Sequence, residues 1–261
     1  MAVVFCVAVL LVSVLVKLCF GTSREEGGSG IETDVRQILD TMSTEQKIAQ
    51  MIMPAIRTWD DEDVTDLSAV PALSEALRRH QYGGIILFGS NVKTTDQTVR
   101  LISDLQSNNA KSGDAERAGI IPSLVAADQE GGSVARLTMG TRGTGSMAIG
   151  ATAEKAEENA KATGWIFGEE LEALGINVNL GPCIDVIHDL ADPGMSTRVF
   201  SDDPDLAAKL SLAFAEGIGK SEVITTYKHF PGAGDGSDFP TSINLTLDEL
   251  KEEDFRPMPQ P

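Results

Sequence analysis

Residues 83–132 read GGIILFGSNVKTTDQTVRLISDLQSNNAKSGDAERAGIIPSLVAADQEGG, and this stretch decides the fold. Its first part, GGIILFGS (83–90), is short, apolar and bounded by glycines, which predicts a buried strand. TTDQTVRLISDLQSNNA (94–110) then places Val99, Ile102 and Leu105 at helical spacing. IPSLVAADQEGG (121–132) is apolar again and runs out into Asp128, Glu130 and a glycine pair. Strand, helix and strand in that order make a βαβ unit and hence a parallel sheet.

The same alternation continues on both sides. Downstream, TAEKAEENAKATGWIFGEELEALG (152–175) predicts a long helix stopped by Gly175. INVNLGPCIDV (176–186) and VITTYKHFPG (223–232) predict strands, with a helix around 204–219 between them. Upstream, IETDVRQILDTM spaces Ile31, Val35, Ile38, Leu39 and Met42 as a helix, and Thr44 is expected to cap TEQKIAQMI. Met42, Met51 and Met53 are read as core. Asp128, Glu130, Asp185, Lys228 and His229 all fall just after strand ends, where (β/α)₈ barrels and open α/β sheets both carry their chemistry. No strand turn has a dinucleotide G-x-G-x-x-G followed by an acidic ribose ligand, so the expected fold is α/β, a TIM-type (β/α)₈ barrel. Such a barrel takes about 250 residues. Few strands precede residue 230, and the proline-rich FRPMPQP is no βα unit. The barrel is therefore expected to be incomplete at its C-terminus.

Composition narrows the partner. The 261 residues are 42% hydrophobic and 23% charged, a globular balance. Thirty-nine acidic against 21 basic residues give a net charge of −18, which repels phosphate and argues against nucleic acid. A neutral small molecule or a carbohydrate is the better ligand. Three cysteines exclude a disulfide-stapled scaffold, and 5% aromatics argue against a broad stacking platform. No Cys/His set has zinc spacing. WDDEDVTD (59–66) lacks the spacing and glycine of a calcium loop and reads as a solvated acidic turn. No metal or cofactor is expected.

MAVVFCVAVLLVSVLVKLCFG (1–21) is nearly all apolar and gives way to TSREEGGSG. Two readings stand: a secretory signal cleaved near Gly21, or a membrane tether through residues 1–20, since about 20 apolar residues span a bilayer. Residues 22–30 then form a flexible linker and 31–261 the barrel domain of an exported or anchored protein. Cleavage would remove Cys6 and Cys19 and leave Cys183. Asn244 begins an Asn-Leu-Thr sequon.

Three strings carry the chemistry. KHFPGAGDGSD (228–238) delivers Lys228 and His229, two hydrogen-bonding side chains, from a strand into a Gly-rich loop with Asp235 and Asp238. ADQEGGSVARL (127–137) sets Asp128 at a strand end, able to accept two hydroxyls, with Arg136 after a glycine turn; Glu130 reads as a second acid or, preferably, as the structural partner of Arg136. GINVNLGPCIDV brings Asp185, and DPGMSTRVFSDDP follows with Arg198, which alone would read as a surface residue.

In this order, D-Q-E-G-G with its later Arg, G-I-N-V-N-L-G-P-C-I-D-V, the loop Arg and K-H-F-P-G resemble family 3 glycoside hydrolases, most closely the β-N-acetylhexosaminidase branch. The resemblance runs from about Ile38 to Pro257. It implies that Asp128, Arg136, Arg198, Lys228 and His229 bind the terminal sugar. It also implies β-glycoside hydrolysis with retention through a glycosyl-aspartate, without a metal. Two departures accompany it. That branch places an Asp-x-His dyad after K-H-F-P-G, whereas GDGSDFPTS has no histidine, leaving Asp238 as the acid/base candidate. His80, near a helix end, and His188, after the Asp185 strand, read as surface and structural. The branch's nucleophilic Asp lies on a later strand, and DELKEEDFRP (248–257) offers no substitute, so the nucleophile is expected to be absent from this chain. Three readings stay open: part of a longer hydrolase, whether hexosaminidase or β-glucosidase; an inactive sugar-binding barrel remnant; or an unrelated α/β protein binding an anion at Lys228 and His229.

Overall fold

The computed structural model describes residues 28–110, 121–186, 194–232, 246–252 and 256–257. Residues 1–27, His188, Asp235, Asp238 and Asn244 lie outside the described residues.

Helix α1 (Gly28–Thr41) starts inside the stretch read as a linker, and α2 (Thr44–Gln50) follows at once. The cap of α2 is Ser43, one residue before the expected Thr44. Its hydroxyl accepts from the Gln46 amide while the Gln46 side chain accepts from the Ser43 amide, a reciprocal capping box. Val35 and Leu39 of α1 stay exposed, and Met51, read as core, is 86% exposed where α2 ends. Met42 is buried as expected.

WDDEDVTD becomes a hairpin, β1 (Thr58–Trp59) and β2 (Glu62–Asp63), turning at Asp60 and Asp61 with φ of 49° and 65°. Its acids do structural work: Asp63 pairs with Lys93 at 2.9 Å, and Asp66 caps a 3-10 turn by accepting from the Ser68 amide. Helix α3 (Pro71–His80) leads to β3 (Gly84–Leu87), α4 (Thr95–Ala110) and β4 (Leu124–Ala127). His80 ends α3 exposed, stacked on Tyr82. The buried stripe of α4 is Thr98, Leu101, Ile102 and Leu105, with Val99 exposed, so the helix is turned slightly from the face expected.

The strand expected over 121–132 divides in two. β4 ends at Ala127, and β5 (Gln129–Gly131) folds back against β6 (Val134–Ala135). Gly131 and Gly132 make the turn with φ of 99° and 60°, a region costly to any residue with a Cβ. After α5 (Ser146–Gly150), a 3-10 turn at Ala153–Lys155 opens the long helix α6 (Ala156–Leu174), which Gly175 ends. β7 (Val178–Asn179), α7 (Pro204–Ile218), β8 (Ile224–Thr225) and α8 (Leu247–Glu252) follow.

The sheet is parallel throughout and ordered β3-β4-β7-β8, which is chain order. Ala55 adds a parallel bridge to Ile86 on the outer side of β3, a strand position that sequence patterning missed. A second bridge joins Cys183 to Lys228 beyond β7 and β8. Parallel strands laid side by side in sequence order, with helices packed on one another in the connections between them, trace an arc of a (β/α) barrel. β4 is buried at Val125, Ala126 and Ala127 alike, as a strand covered on both sides must be. The core between sheet and helices includes Leu87, Leu101, Phe167, Leu171, Phe214 and Ile218. Phe214 meets Phe167 and Phe200 edge-on, at 5.9 and 6.3 Å between centroids. Each such aromatic side chain stabilises the fold by about 1.5–3 kcal/mol.

Candidate functional site

The site lies at the C-terminal edge of the parallel sheet, where β4, β7 and β8 deliver their loops. Two asparagines in the N-V-N stretch stitch β4 to β7. Asn177 accepts from the Val125 amide and donates to the Ser123 carbonyl; Asn179 accepts from the Gln129 amide and donates to its carbonyl. Gln129, fully buried, then ties down the returning hairpin strand: its Oε1 accepts from the amides of Arg136 and Leu137, and its Nε2 donates to the Thr141 carbonyl. Gln129 points away from the neighbours on either side, as alternate residues of an extended chain do, so Asp128 and Glu130 share the other side.

On that side a continuous chain of charges forms. Arg136 donates to Asp128 at 2.9 Å. Lys228 Nζ lies 2.6 Å from Asp128 and 2.5 Å from Glu130. Arg198 grips Glu130 with both Nε and Nη2, each at 2.9 Å. Its Nη2 also sits 3.3 Å from His229 Nε2, and His229 Nδ1 lies 2.7 Å from Asp185 Oδ2. That oxygen accepts in addition from the His229 amide at 3.1 Å and the Cys183 thiol at 3.0 Å. The Lys228–His229 peptide is cis.

The structure thus brings together Asp128, Arg136, Arg198, Lys228 and His229, all five of the sugar-binding candidates within the described residues. Two expectations need correction. Glu130 is the partner of Arg198 and Lys228, not of Arg136, because the glycine turn returns Arg136 to Asp128. Arg198, read in isolation as a surface side chain, is 7% exposed, drawn in by the buried Glu130 carboxylate. Asp185, read from its strand-end position, joins the cluster through His229, whereas Cys183 was not singled out as a site residue. Nothing in the sequence flags Cys183.

Burial alone would raise the Asp128 carboxyl, but Lys228 and Arg136 more than offset it and hold it below the usual carboxylate value. Burial likewise opposes charge on Lys228, and Glu130 and Asp128 overcome that and raise it. Asp128 is therefore a carboxylate and Lys228 an ammonium across the neutral range. Burial, then Asp185 and Glu130, push the Cys183 thiol well up, so it stays protonated. Such a fixed array of acceptors and cationic donors suits a ligand rich in neutral hydroxyls, which both accept and donate. Cys183, Asp185 and His229 place potential metal-ligand atoms within 4.8 Å of one another. Those atoms are hydrogen-bonded among themselves, and the Arg198 guanidinium beside His229 opposes a second cation.

Fold and site together define a barrel-type α/β protein with a cluster of mutually paired charged side chains at its strand ends. Residues 43–258 match the glycosyl hydrolase family 3 N terminal domain, and the chain belongs to that family. It is 35% identical over 231 residues to β-hexosaminidase A of Pseudoalteromonas piscicida, covering 83% of this chain and 38% of that protein. To a β-hexosaminidase of Pseudomonas aeruginosa it is 33% identical over 161 residues, covering 61% and 45%. Among solved structures, a family 3 β-N-acetylglucosaminidase from a Paenibacillus species matches with a TM-score of 0.69 at 28% identity, over 83% of this chain and 39% of that one. NagZ from Neisseria gonorrhoeae, in complex with N-trifluoroacetyl-D-glucosamine, matches with a TM-score of 0.63 at 26% identity, over 79% and 58%. The chain thus spans less than half the length of these two curated relatives.

Proposed function

We propose that this chain supplies the sugar-binding part of a retaining β-N-acetylhexosaminidase that releases a terminal β-linked N-acetylglucosamine. The observation that carries the reading is Asp128 held between Lys228 and Arg136 at the strand ends, a carboxylate fixed to receive two hydroxyl hydrogens. Lys228, Arg136, Arg198 and His229 continue the same chain of contacts. The names of the relatives, β-hexosaminidases and a structure bound to a glucosamine derivative, point to the same sugar class.

Retaining hydrolysis needs two groups about 5–5.5 Å apart, a nucleophile and a proton donor. Asp128 and Glu130 are each engaged by two cations or by a bidentate arginine and a lysine, and Asp185 by His229 and Cys183. None of the three suits a nucleophile, which in this reading comes from elsewhere. Asp238, which follows Lys228 and His229 in the sequence GAGDGSD, is the proton donor in this proposal. Export or tethering through residues 1–21 belongs to the same proposal. Among the described residues no helix is long and apolar enough to cross a membrane.

Calorimetric titration of the full chain with N-acetylglucosamine tests the reading. Binding is expected, and Asp128→Ala should weaken it roughly tenfold or more, since unpaired hydroxyl-binding groups cost about 1–3 kcal/mol. Equal affinity in the variant would move the sugar elsewhere. Release of 4-nitrophenol from the aryl N-acetyl-β-glucosaminide, assayed alongside, separates a hydrolase from a binding protein.

A further inference from the structure

We infer that Cys183 and Asp185 act as positioning residues that hold His229 as the neutral tautomer with its proton on Nδ1, leaving Nε2 as a fixed acceptor. The role this gives His229 toward a ligand rests on the sugar-site reading; the tautomer does not.

The geometry leaves one assignment. A guanidinium has donors only. Arg198 Nη2 lies 3.3 Å from His229 Nε2, so the lone pair must be on Nε2. On the other side of the ring, Asp185 Oδ2 stands 2.7 Å from Nδ1 and can only accept there. The ring is therefore clamped between a donor and an acceptor, which fixes both its tautomer and its orientation. Arg198 is itself held by Glu130 through two hydrogen bonds, so the clamp is rigid from that end.

Cys183 sets the other end. Its thiol is buried completely and donates to the same Oδ2 at 3.0 Å, as does the His229 amide at 3.1 Å. Three donors on one carboxylate oxygen fix the carboxylate plane and draw off part of its charge. Asp185 then pulls less strongly on the Nδ1 proton than it would without the thiol. The parallel bridge between Cys183 and Lys228 sets the Cys183 backbone beside the segment that carries His229.

A histidine set this way receives a hydrogen from a ligand hydroxyl at Nε2 or shares the Arg198 N–H. It does not deliver a proton to a departing glycosidic oxygen. In that reading the proton donor is another group.

Nitrogen-15 NMR of the histidine-labelled full chain tests this. The His229 ring is assigned by comparison with His80→Gln and His188→Gln, which remove the chain's two other histidines. The expected spectrum at neutral pH shows Nδ1 protonated and Nε2 bare. A protonated Nε2 would overturn the inference. In Cys183→Ala the Nδ1–H proton signal should move downfield as Oδ2 becomes a stronger acceptor, whereas Cys183→Ser, which keeps a donor, should restore most of the shift. An unmoved signal in Cys183→Ala would remove Cys183 from the role. Addition of N-acetylglucosamine gives the separate reading of function: a bare Nε2 that does not respond to the sugar would leave the clamp standing and count against the sugar site.

Discussion

Glu130 shows what one residue contributes. Its carboxylate is 1% exposed and answers two cations, Arg198 and Lys228. Glu130→Gln keeps the shape but leaves both cations short of a counter-charge in a buried setting. Breaking a buried pair in this way costs about 3–5 kcal/mol. Urea unfolding of the variant should show a loss of that size, and a change within a few tenths would mean that water already compensates the cluster. Asp128 and Lys228 set the pH window. The lowered Asp128 carboxyl contributes stability that is full above its ordinary value of 3.8 and drains away as pH falls through the lowered one. The raised Lys228 ammonium contributes stability that is full below 10.5 and is lost as pH climbs through its raised value. The stability difference between the native chain and Asp128→Asn should therefore be flat between these limits and shrink in acid. A difference that grows in acid would contradict the pairing. Asp128 and Lys228 were legible because residues at strand ends are where this class of fold does its chemistry. The partner of Glu130 was not legible: Arg198 lies 68 positions away, and Arg136 is the nearer cation in sequence.

At the scale of elements, the packing of α6 on α7 turns on one small residue. A Cβ at Gly164 would collide with the Phe214 carbonyl oxygen of the facing helix. Alanine favours a helix over glycine by about 1 kcal/mol, so in an exposed helix Gly164→Ala would stabilise. Here it should lower the melting temperature, because two backbones in contact must be forced apart. A rise in melting temperature would show that the helices can part at little cost. Helix existence was readable from periodicity, as over 94–110, but its buried face was not. Thr98 is buried and Val99 exposed, because the angle at which α4 meets the sheet decides the stripe and hydrophobicity only biases it. Likewise Ser43 displaces Thr44 as cap because the Gln46 side chain can return only to the residue three before it.

At the scale of the whole molecule, net charge and site chemistry separate. The chain carries −18 overall, yet the strand-end cluster balances its own charges, cation against carboxylate. A neutral sugar bound there releases no counterions, so its affinity should not change from low to high salt, whereas an anionic ligand at Lys228 and His229 would weaken steeply. A clear salt dependence in the N-acetylglucosamine titration would favour the anion. Alternation of strands and helices, the strand-end placement of Asp128, Lys228 and His229 and the ordered motifs were all written in the chain, because each depends on residues close together along it. The neighbour order β3-β4-β7-β8, the bridge at Ala55, the burial of Arg198 and the chain of contacts from Arg136 to Cys183 were decided only by tertiary structure. Each of those requires segments far apart in sequence to meet across the sheet edge, and whether a charge is buried with a partner depends on which segments meet.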